Sequence, residues 1–202
     1  TGKRITISGT GLVALHAAKK AISQGAVVQT LSTQHGVLYA QDGITQELPD
    51  QLIKTPQNAT EVLKSSAVEN SWQWHEQQKP WQLACDIALP CACHNEITIE
   101  DACALVKNRC AIVAEGAGMS CTKSATEFFE KARILHLPGI AASAGELAIP
   151  EIELRQIADN GFFDFDDFEG KLQWLMAKIH RQCLRHSPRE GNWSNYRQGA
   201  NI

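Results

Sequence analysis

The chain has 202 residues, and 44% of them are hydrophobic, which is enough for the core of one large domain or two small ones. Its formal net charge is -3 and it has no basic run, so an electrostatic nucleic-acid site is not expected. No apolar stretch approaches the roughly 20 residues of a membrane-spanning helix, and no signal peptide is visible.

A βαβ pattern with a glycine-rich turn opens the sequence. Residues 3–8 form a β-rich run, and the string GTGLVA at 9–14 fits G-x-G-x-x-A. An alanine-rich helix is predicted up to Gln24, where Gly25 stops it, and residues 27–32 are predicted to form the next strand. This is the context that a dinucleotide-binding turn needs, although isolated strings of this kind also occur by chance.

The glycines of this turn have distinct predicted roles. Gly9 allows a tight turn, Gly11 lets the backbone approach a pyrophosphate, and Ala14 lets the helix pack on the strand. The N-terminus of the helix then faces the anion.

The end of the second strand bears on the choice of coenzyme. The segment LSTQHG at 31–36 has no acidic residue before Asp42, whereas an NAD site usually has one there to bind the ribose 2′-hydroxyl. Ser32, Thr33, Gln34 and His35 can donate hydrogen bonds and would not repel a 2′-phosphate. NADP is therefore permitted, and a polar turn that binds nothing is the alternative.

Strands and helices alternate through the rest of the chain. Loops and short helices are predicted at 41–64 and a surface connection at 72–81. A buried strand is predicted at 86–90, and Thr98 is predicted to cap a helix that ends near Asn108. The further elements predicted are strands at 110–114 and 134–137 and helices at 122–132, 144–157 and 169–184. This order predicts a Rossmann-type doubly wound α/β fold, a three-layer αβα sandwich with a mostly parallel sheet.

The last of these helices has an apolar stripe, made by Leu172, Leu175, Ile179 and Cys183. Such a stripe is typical of a helix that lies on a sheet.

The cysteines and histidines do not form a recognisable metal or catalytic motif. Cys91 and Cys93 alternate in the string CACH, so their side chains would point apart rather than converge on a zinc ion. The other histidines show no triad spacing with a serine or cysteine. No metal is expected, and seven cysteines without a C-x-x-C pair indicate a reducing, cytoplasmic location.

Longer blocks of sequence carry a more specific resemblance. The strings DIALPCACHNEITIEDACALV, AIVAEGAGMSCTKSATEFF, LHLPGIAASAGELA and NYRQGANI follow one another in order, after ISGTGLVA at the start. They resemble the NADP-specific glutamate dehydrogenases, within the broader family that acts on glutamate, leucine, phenylalanine and valine.

This resemblance implies that residues 1–202 are one NAD(P)-binding Rossmann domain of a two-domain subunit. The substrate domain, with the family's catalytic lysines and aspartate, precedes this stretch, so no catalytic residue is expected here and the chain alone should be inactive. The implied coenzyme is NADP, with NAD possible, and the implied substrates are an amino acid and its 2-oxo acid. The implied reaction is the reversible oxidative deamination of glutamate to 2-oxoglutarate and ammonia. The whole protein is expected to be a homohexamer, without a nucleic-acid or membrane partner.

The resemblance also assigns site residues, position by position. On the substrate side it implies Ser143, Leu147 and Pro150. For the coenzyme it implies Gly9, Thr10, Gly11, Leu12, Val13, Ser32, Thr33, Gln34, Ala92, Cys93, Gly118 and Ser143.

Several of these positions depart from the family pattern, mostly on segments that face the cleft. Leu12, Gly118 and Ser143 stand where the family has asparagine, Thr33 where it has aspartate, and Pro150 where it has serine. Further departures are Cys93, His94, Ile140 and Glu146. Three hypotheses remain open: a glutamate dehydrogenase, an amino-acid dehydrogenase of altered substrate, and a family member that binds nucleotide without turnover.

Overall fold

The computed structural model describes residues 1–160, 165–191 and 193–201. Its strands are β1 (Arg4–Ile7), β2 (Val27–Thr33), β3 (Gly36–Tyr39), β4 (Gln73–Glu76), β5 (Ile87–Leu89), β6 (Ile112–Ala114), β7 (Leu135–Leu137), β8 (Arg189–Glu190) and β9 (Trp193–Ser194). Its helices are α1 (Leu12–Ser23), α2 (Glu47–Lys54), α3 (Ala59–Glu69), α4 (Ile99–Lys107), α5 (Lys123–Lys131), α6 (Gly139–Ala142), α7 (Ala144–Asn160), α8 (Phe165–His186) and α9 (Tyr196–Ala200). Short 3₁₀ turns lie at Pro56–Asn58 and Pro80–Gln82.

Seven strands form one sheet in the order β4-β3-β2-β1-β5-β6-β7. The strands from β2 to β7 in this order are parallel, and β3 and β4 are antiparallel additions at one edge. Helices pack against this sheet, so the predicted doubly wound α/β fold with a mostly parallel sheet is confirmed. β8 and β9 form a separate two-stranded ribbon.

The opening βαβ unit forms as its sequence indicates. α1 ends at Ser23, and Gly25 follows with a φ of 76°, a conformation that glycine adopts without steric cost. Its N–H donates to the carbonyl of Ile22 at 2.8 Å, which closes the helix before β2 begins.

The prediction of a surface connection at 72–81 was wrong in part, because β4 forms there. All four β4 residues are exposed or half-buried, since an edge strand needs no continuous apolar run. A β-carbon on Gly36 would lie 2.4 Å from the carbonyl oxygen of His75, so a glycine is needed where β3 meets β4. The short helices predicted at 41–64 are α2, the 3₁₀ turn and the first part of α3.

Side-chain caps begin the two helices, α4 and α5, that connect the strands of the second half of the sheet. Thr98 and Asp101 form a reciprocal capping box at the start of α4, and Thr122 accepts the N–H of Ala125 at the start of α5. Each cap satisfies amide groups that a helix start leaves without an intrahelical partner.

The C-terminal helices depart in detail from the prediction. α7 continues through Pro150, so the restart that a proline can cause at that point is not observed. In α8, Cys183 is buried but Leu172, Leu175 and Ile179 are only half-buried, because α8 packs mainly on α7 and α9 rather than directly on the sheet. In the described residues, no helix is both long enough and apolar enough to cross a membrane.

Candidate functional site

A cleft of about 890 Å³ opens at the carboxyl ends of β1, β2 and β5. The chain leaves β1 toward β2 on one side, and β5 lies on the other side of β1. The strand order therefore reverses at this point, and open parallel sheets bind ligands at such a reversal.

The glycine turn after β1 forms one wall of the cleft. Gly9 has a φ of 89°, and a β-carbon on it would lie 3.2 Å from the Cα of Ala92 and 3.3 Å from the carbonyl oxygen of Cys91. Its N–H donates to the hydroxyl of Ser32 at 3.0 Å. Gly9 thus allows the loop after β1 to approach the loop after β5 and ties it to β2.

The N-terminus of α1 supplies donors beside this wall. Gly11 is the N-cap of α1 and lines the cleft, together with Thr10. No side chain caps the helix, and its first turn contains no acidic residue. A β-carbon on Gly11 would point into open space, with no atom within 4 Å. Because glycine has no side chain, this part of the cleft stays open to a ligand. An uncapped helix N-terminus of this kind favours an anionic ligand.

The residues predicted at the end of β2 also line the cleft, but their hydroxyls already have partners. Ser32 accepts from Gly9, and Thr33 accepts from the N–H of His35 at 3.2 Å and from the hydroxyl of Thr60 at 3.1 Å. Gln34 and His35 are exposed. Their side chains hydrogen-bond to each other, Gln34 Nε2 to His35 Nε2 at 3.2 Å, and their exposure makes them the groups at this end that a ligand can reach most directly.

The loop after β5 forms the opposite wall. The N–H groups of Ala92 and Cys93 donate to one carboxylate oxygen of Glu96, at 2.9 and 3.3 Å. Burial raises the pKa of Glu96 above its ordinary value, and hydrogen bonds from Ser8, Ala92 and Cys93 oppose that rise only in part. A second negative charge close to Glu96 is therefore unfavourable unless a cation or a proton compensates.

Sequence reasoning missed two charged residues of the cleft. Lys79 donates from Nζ to the Asp101 carboxylate and to the carbonyl of Glu96, both at 2.7 Å. Glu61, in the first turn of α3, lines the cleft at its other end. Lys79 is the single lysine or arginine of the lining among the described residues. The missed strand β4 and the 3₁₀ turn after it bring Lys79 here, and no local motif marks either residue.

Some predicted site residues do not line the cleft. Leu12 and Val13 are exposed beside it, and Gly118 lies where a β-carbon would be 3.4 Å from Cε1 of His94. Ser143 donates its hydroxyl to the carbonyl of Gly139 at 2.6 Å. Pro150 is exposed, and the Leu147 side chain lies outside the described part of the chain.

A second polar cluster is buried and is not part of the cleft lining. Glu115 follows β6 directly and accepts the N–H of Gly139 at 2.8 Å and the N–H of Cys121 at 3.1 Å. Nε2 of His136, in β7, lies 3.2 Å from Oε1 of Glu115. Burial alone would raise the pKa of Glu115, but the hydrogen bonds from His136, Gly139 and Cys121 outweigh it and hold the pKa below its ordinary value.

Comparison with known proteins places the chain in a family. A family model described as Glutamate/Leucine/Phenylalanine/Valine dehydrogenase matches residues 1–202. The chain belongs to this family. The resemblance recognised in the sequence is therefore confirmed.

Individual relatives in this family are similar over the whole chain. It is 39% identical over 201 residues to the NADP-specific glutamate dehydrogenase of Escherichia coli K12 and covers 45% of that protein. It is 35% identical over 202 residues to the NAD-specific glutamate dehydrogenase of Bacteroides fragilis and again covers 45%. A crystal structure of Plasmodium falciparum glutamate dehydrogenase matches 99% of this chain and 43% of its own, with a TM-score of 0.90 and 30% identity. The chain thus spans less than half the length of these relatives.

Proposed function

We propose that the cleft binds a nicotinamide dinucleotide, NADP in preference to NAD, as the coenzyme-binding part of an NADP-dependent glutamate dehydrogenase. The observation that supports this most directly is the position of the cleft, at the strand reversal beside an uncapped helix N-terminus. Membership of the family and the NADP-specific relatives support the same conclusion.

The residues present fit such a coenzyme. The cleft volume of about 890 Å³ lies within the range of cofactor sites. The first-turn N–H groups of α1 would hold the pyrophosphate, and the loop of Ala92 and Cys93 would face the nicotinamide end. When bound, the nicotinamide ring accepts or supplies the hydride. The chain's own part is to orient that ring and to hold the phosphates.

The preference for NADP should be modest. Gln34 and His35 offer neutral hydrogen bonds to a 2′-phosphate, each worth about 1 kcal/mol, whereas a charged partner is worth about 1.5–3 kcal/mol. Lys79 is the nearby cation, but it is already paired with Asp101. Residues 31–41, at the end of β2 and beyond, contain no lysine or arginine.

Calorimetric titration of both coenzymes tests this preference. We expect NADP to bind more tightly than NAD, and Gln34→Ala to reduce the difference. Ser65→Ala, on the exposed side of α3, is the control and should leave both affinities unchanged. Tighter binding of NAD by the unaltered chain would refute the preference, and no binding of either at millimolar concentration would refute the coenzyme site.

NAD is the second candidate, because a carboxylate is present after all. Glu61 lines the cleft, and a carboxylate can bind a ribose 2′-hydroxyl. One similar protein is named as NAD-specific. If NAD is the true coenzyme, Glu61→Gln should weaken NAD selectively; if NADP is, the same change should strengthen NADP by removing a like charge.

For the whole protein we propose the reversible oxidative deamination of glutamate to 2-oxoglutarate and ammonia, in the cytoplasm and as a homohexamer. Assay of the whole protein with glutamate and other amino acids tests the reaction, and sedimentation tests the assembly. Turnover of a different amino acid would favour the altered-substrate hypothesis. Coenzyme binding without any turnover would favour a binding protein, which the departures at Leu12, Gly118 and Ser143 support. The chain alone should show no glutamate-dependent reduction of NADP.

A further inference from the structure

We propose that Glu115, Cys121 and His136 bind a divalent transition metal ion, zinc by the chemistry of its ligands. One ligand atom from each residue lies within 4.8 Å of the other two, and all three residues are buried. The inference concerns a cluster outside the coenzyme cleft and does not depend on the function proposed for that cleft.

The distances are close to those of a tetrahedral site. Zinc bonds of about 2.0–2.1 Å to nitrogen and oxygen place two such ligands about 3.3 Å apart. Nε2 of His136 and Oε1 of Glu115 are 3.2 Å apart. A thiolate bond of about 2.3 Å places sulfur about 3.6 Å from its neighbouring ligands. The sulfur of Cys121 lies within 4.8 Å of the other two ligand atoms, so each of these distances needs to shorten by at most about 1.2 Å to complete the set.

The surrounding backbone already orients two of these ligands. The Glu115 carboxylate accepts the N–H of Gly139 and the N–H of Cys121, contacts of the kind that hold metal-ligating carboxylates in place. Cys121 is held by a parallel β-bridge to Ile97, just before α5. His136 lies in β7, paired with β6. A metal here would connect β6, β7 and the start of α5.

One polar atom of this cluster lacks a hydrogen-bond partner among the described residues. Nδ1 of His136 is buried and has no hydrogen-bond partner in the described part of the chain. Nε2 is the ring nitrogen that faces Glu115 and would bind the metal. Metal-ligating histidines donate their other N–H to a carboxylate, a carbonyl or a water, so Nδ1 would be the atom that binds a water molecule.

Charge and ligand softness select the class of ion. Among the described residues, no lysine or arginine forms an ion pair with Glu115. A divalent ion bound by one carboxylate, one thiolate and one neutral imidazole would make the buried cluster electrically neutral. Sulfur and imidazole ligands favour zinc over magnesium or calcium, which prefer oxygen ligands. Three protein ligands leave the fourth position to a water molecule.

Metal titration of the chain after chelator treatment tests the proposal. With zinc alone, calorimetry should show one ion per chain, and the melting temperature should rise with zinc concentration because the metal binds the folded state. With cobalt(II) as a spectroscopic substitute, the chain should show the absorption of a tetrahedral thiolate site. Cys121→Ser should remove the thiolate band and weaken zinc by at least the 10–100-fold that loss of an outer contact typically costs.

Matched variants separate this site from adventitious thiols. Cys103, on α4, and Cys93, in the cleft, are both exposed. Cys103→Ser and Cys93→Ser should leave the stoichiometry and the cobalt spectrum unchanged. Loss of the thiolate band in either of these variants, or its persistence in Cys121→Ser, would overturn the proposal. If Cys121→Ser fails to fold, the unaltered chain still decides: no stoichiometric zinc and no tetrahedral cobalt spectrum would show that the cluster is only a hydrogen-bonded part of the core.

Discussion

Two carboxylates follow neighbouring strands of this sheet, and their pKa values are shifted in opposite directions. Glu96, in the loop after β5, has a raised pKa, whereas Glu115, directly after β6, has a lowered one. Each accepts hydrogen bonds from two backbone amides. Each also has a side-chain partner, the Ser8 hydroxyl for Glu96 and the His136 ring for Glu115. Only at Glu115 do the hydrogen bonds together outweigh the cost of burial.

The difference separates a binding surface from a structural centre. Glu96 forms part of an open wall, where a raised pKa means that the carboxylate is incompletely compensated and sensitive to a ligand's charge. Glu115 is enclosed and joins the loop after β6 to the start of α6. We therefore expect changes at Glu115 to act on folding and changes at Glu96 to act on binding.

The largest expected effect is that of Glu115→Ala on stability. The change removes the acceptor of two buried amides and one buried imidazole, and loss of one partner of a buried pair typically costs about 3–5 kcal/mol. Glu96→Ala should cost less, about 1–3 kcal/mol, because water can reach the groups it exposes. Urea unfolding followed by circular dichroism measures both. Equal losses would show that the two carboxylates are structurally equivalent.

The pH dependence of stability should have opposite signs at the two sites. The Glu115 pKa is lower in the folded state, so its contribution is present above the unfolded carboxyl pKa and is lost as pH falls through the folded value. The Glu96 pKa is higher in the folded state, so its contribution is present below the unfolded pKa and is lost as pH rises through the folded value.

Unfolding free energies from about pH 7 to about pH 3 test these signs. Glu115→Gln should flatten the loss of stability in acid relative to the unaltered chain. Glu96→Gln should remove a penalty that the unaltered chain has near neutral pH. If the unfolding free energy of Glu115→Gln falls in acid as much as that of the unaltered chain, the predicted role of the Glu115 pKa is wrong.

A smaller effect is expected on coenzyme binding when the charge of Glu96 is removed. Glu96→Gln takes a negative charge from the cleft while its oxygen can still accept the N–H groups of Ala92 and Cys93. We expect NADPH, whose nicotinamide ring is neutral, to bind about two- to tenfold more tightly, because its phosphates lose one like charge a few ångströms away. Glu69→Gln, at the exposed end of α3, is the matched control. Unchanged affinity in Glu96→Gln would place the phosphates away from this wall.

Local signals explain which features the sequence could predict. The turn at Gly9, the stop at Gly25 and the cap at Thr98 each depend on a few adjacent residues, and the structure has all three. The strand–helix alternation follows from such signals taken in order. The edge strand β4 was missed because an edge strand tolerates polar residues, and with it the approach of Lys79 to the cleft.

The buried cluster of Glu115, Cys121 and His136 could not be predicted for a different reason. Glu115, Cys121 and His136 belong to three separate segments, and their spacing matches no metal or catalytic motif. Only the pairing of β6 with β7, and the return of the chain into α5, brings them together. Of the predicted coenzyme residues, those in the turns after β1, β2 and β5 line one cleft, since the carboxyl ends of adjacent parallel strands meet at one edge.

The smallest expected effect concerns the ion pair at the rim of the cleft. The Lys79 side chain is 51% exposed, whereas that of Asp101 is 8% exposed. Asp101 also accepts the N–H and the hydroxyl of Thr98, so it stays hydrogen-bonded when the lysine is replaced. Lys79→Met should therefore lower the unfolding free energy by only about 0.2–1 kcal/mol, the usual range for exposed pairs.

Lys3→Met is the control for this change, because Lys3 is an exposed lysine next to β1, outside the cleft lining. Urea unfolding of both variants at two salt concentrations gives the measurement, since the contribution of an exposed pair declines as salt screens it. Suppose that Lys79→Met lowers the unfolding free energy by several kcal/mol and that salt does not change this loss. The charges at the rim of the cleft would then be as important for stability as the buried charge of Glu115. The division between an open binding wall and a buried structural centre would then not hold.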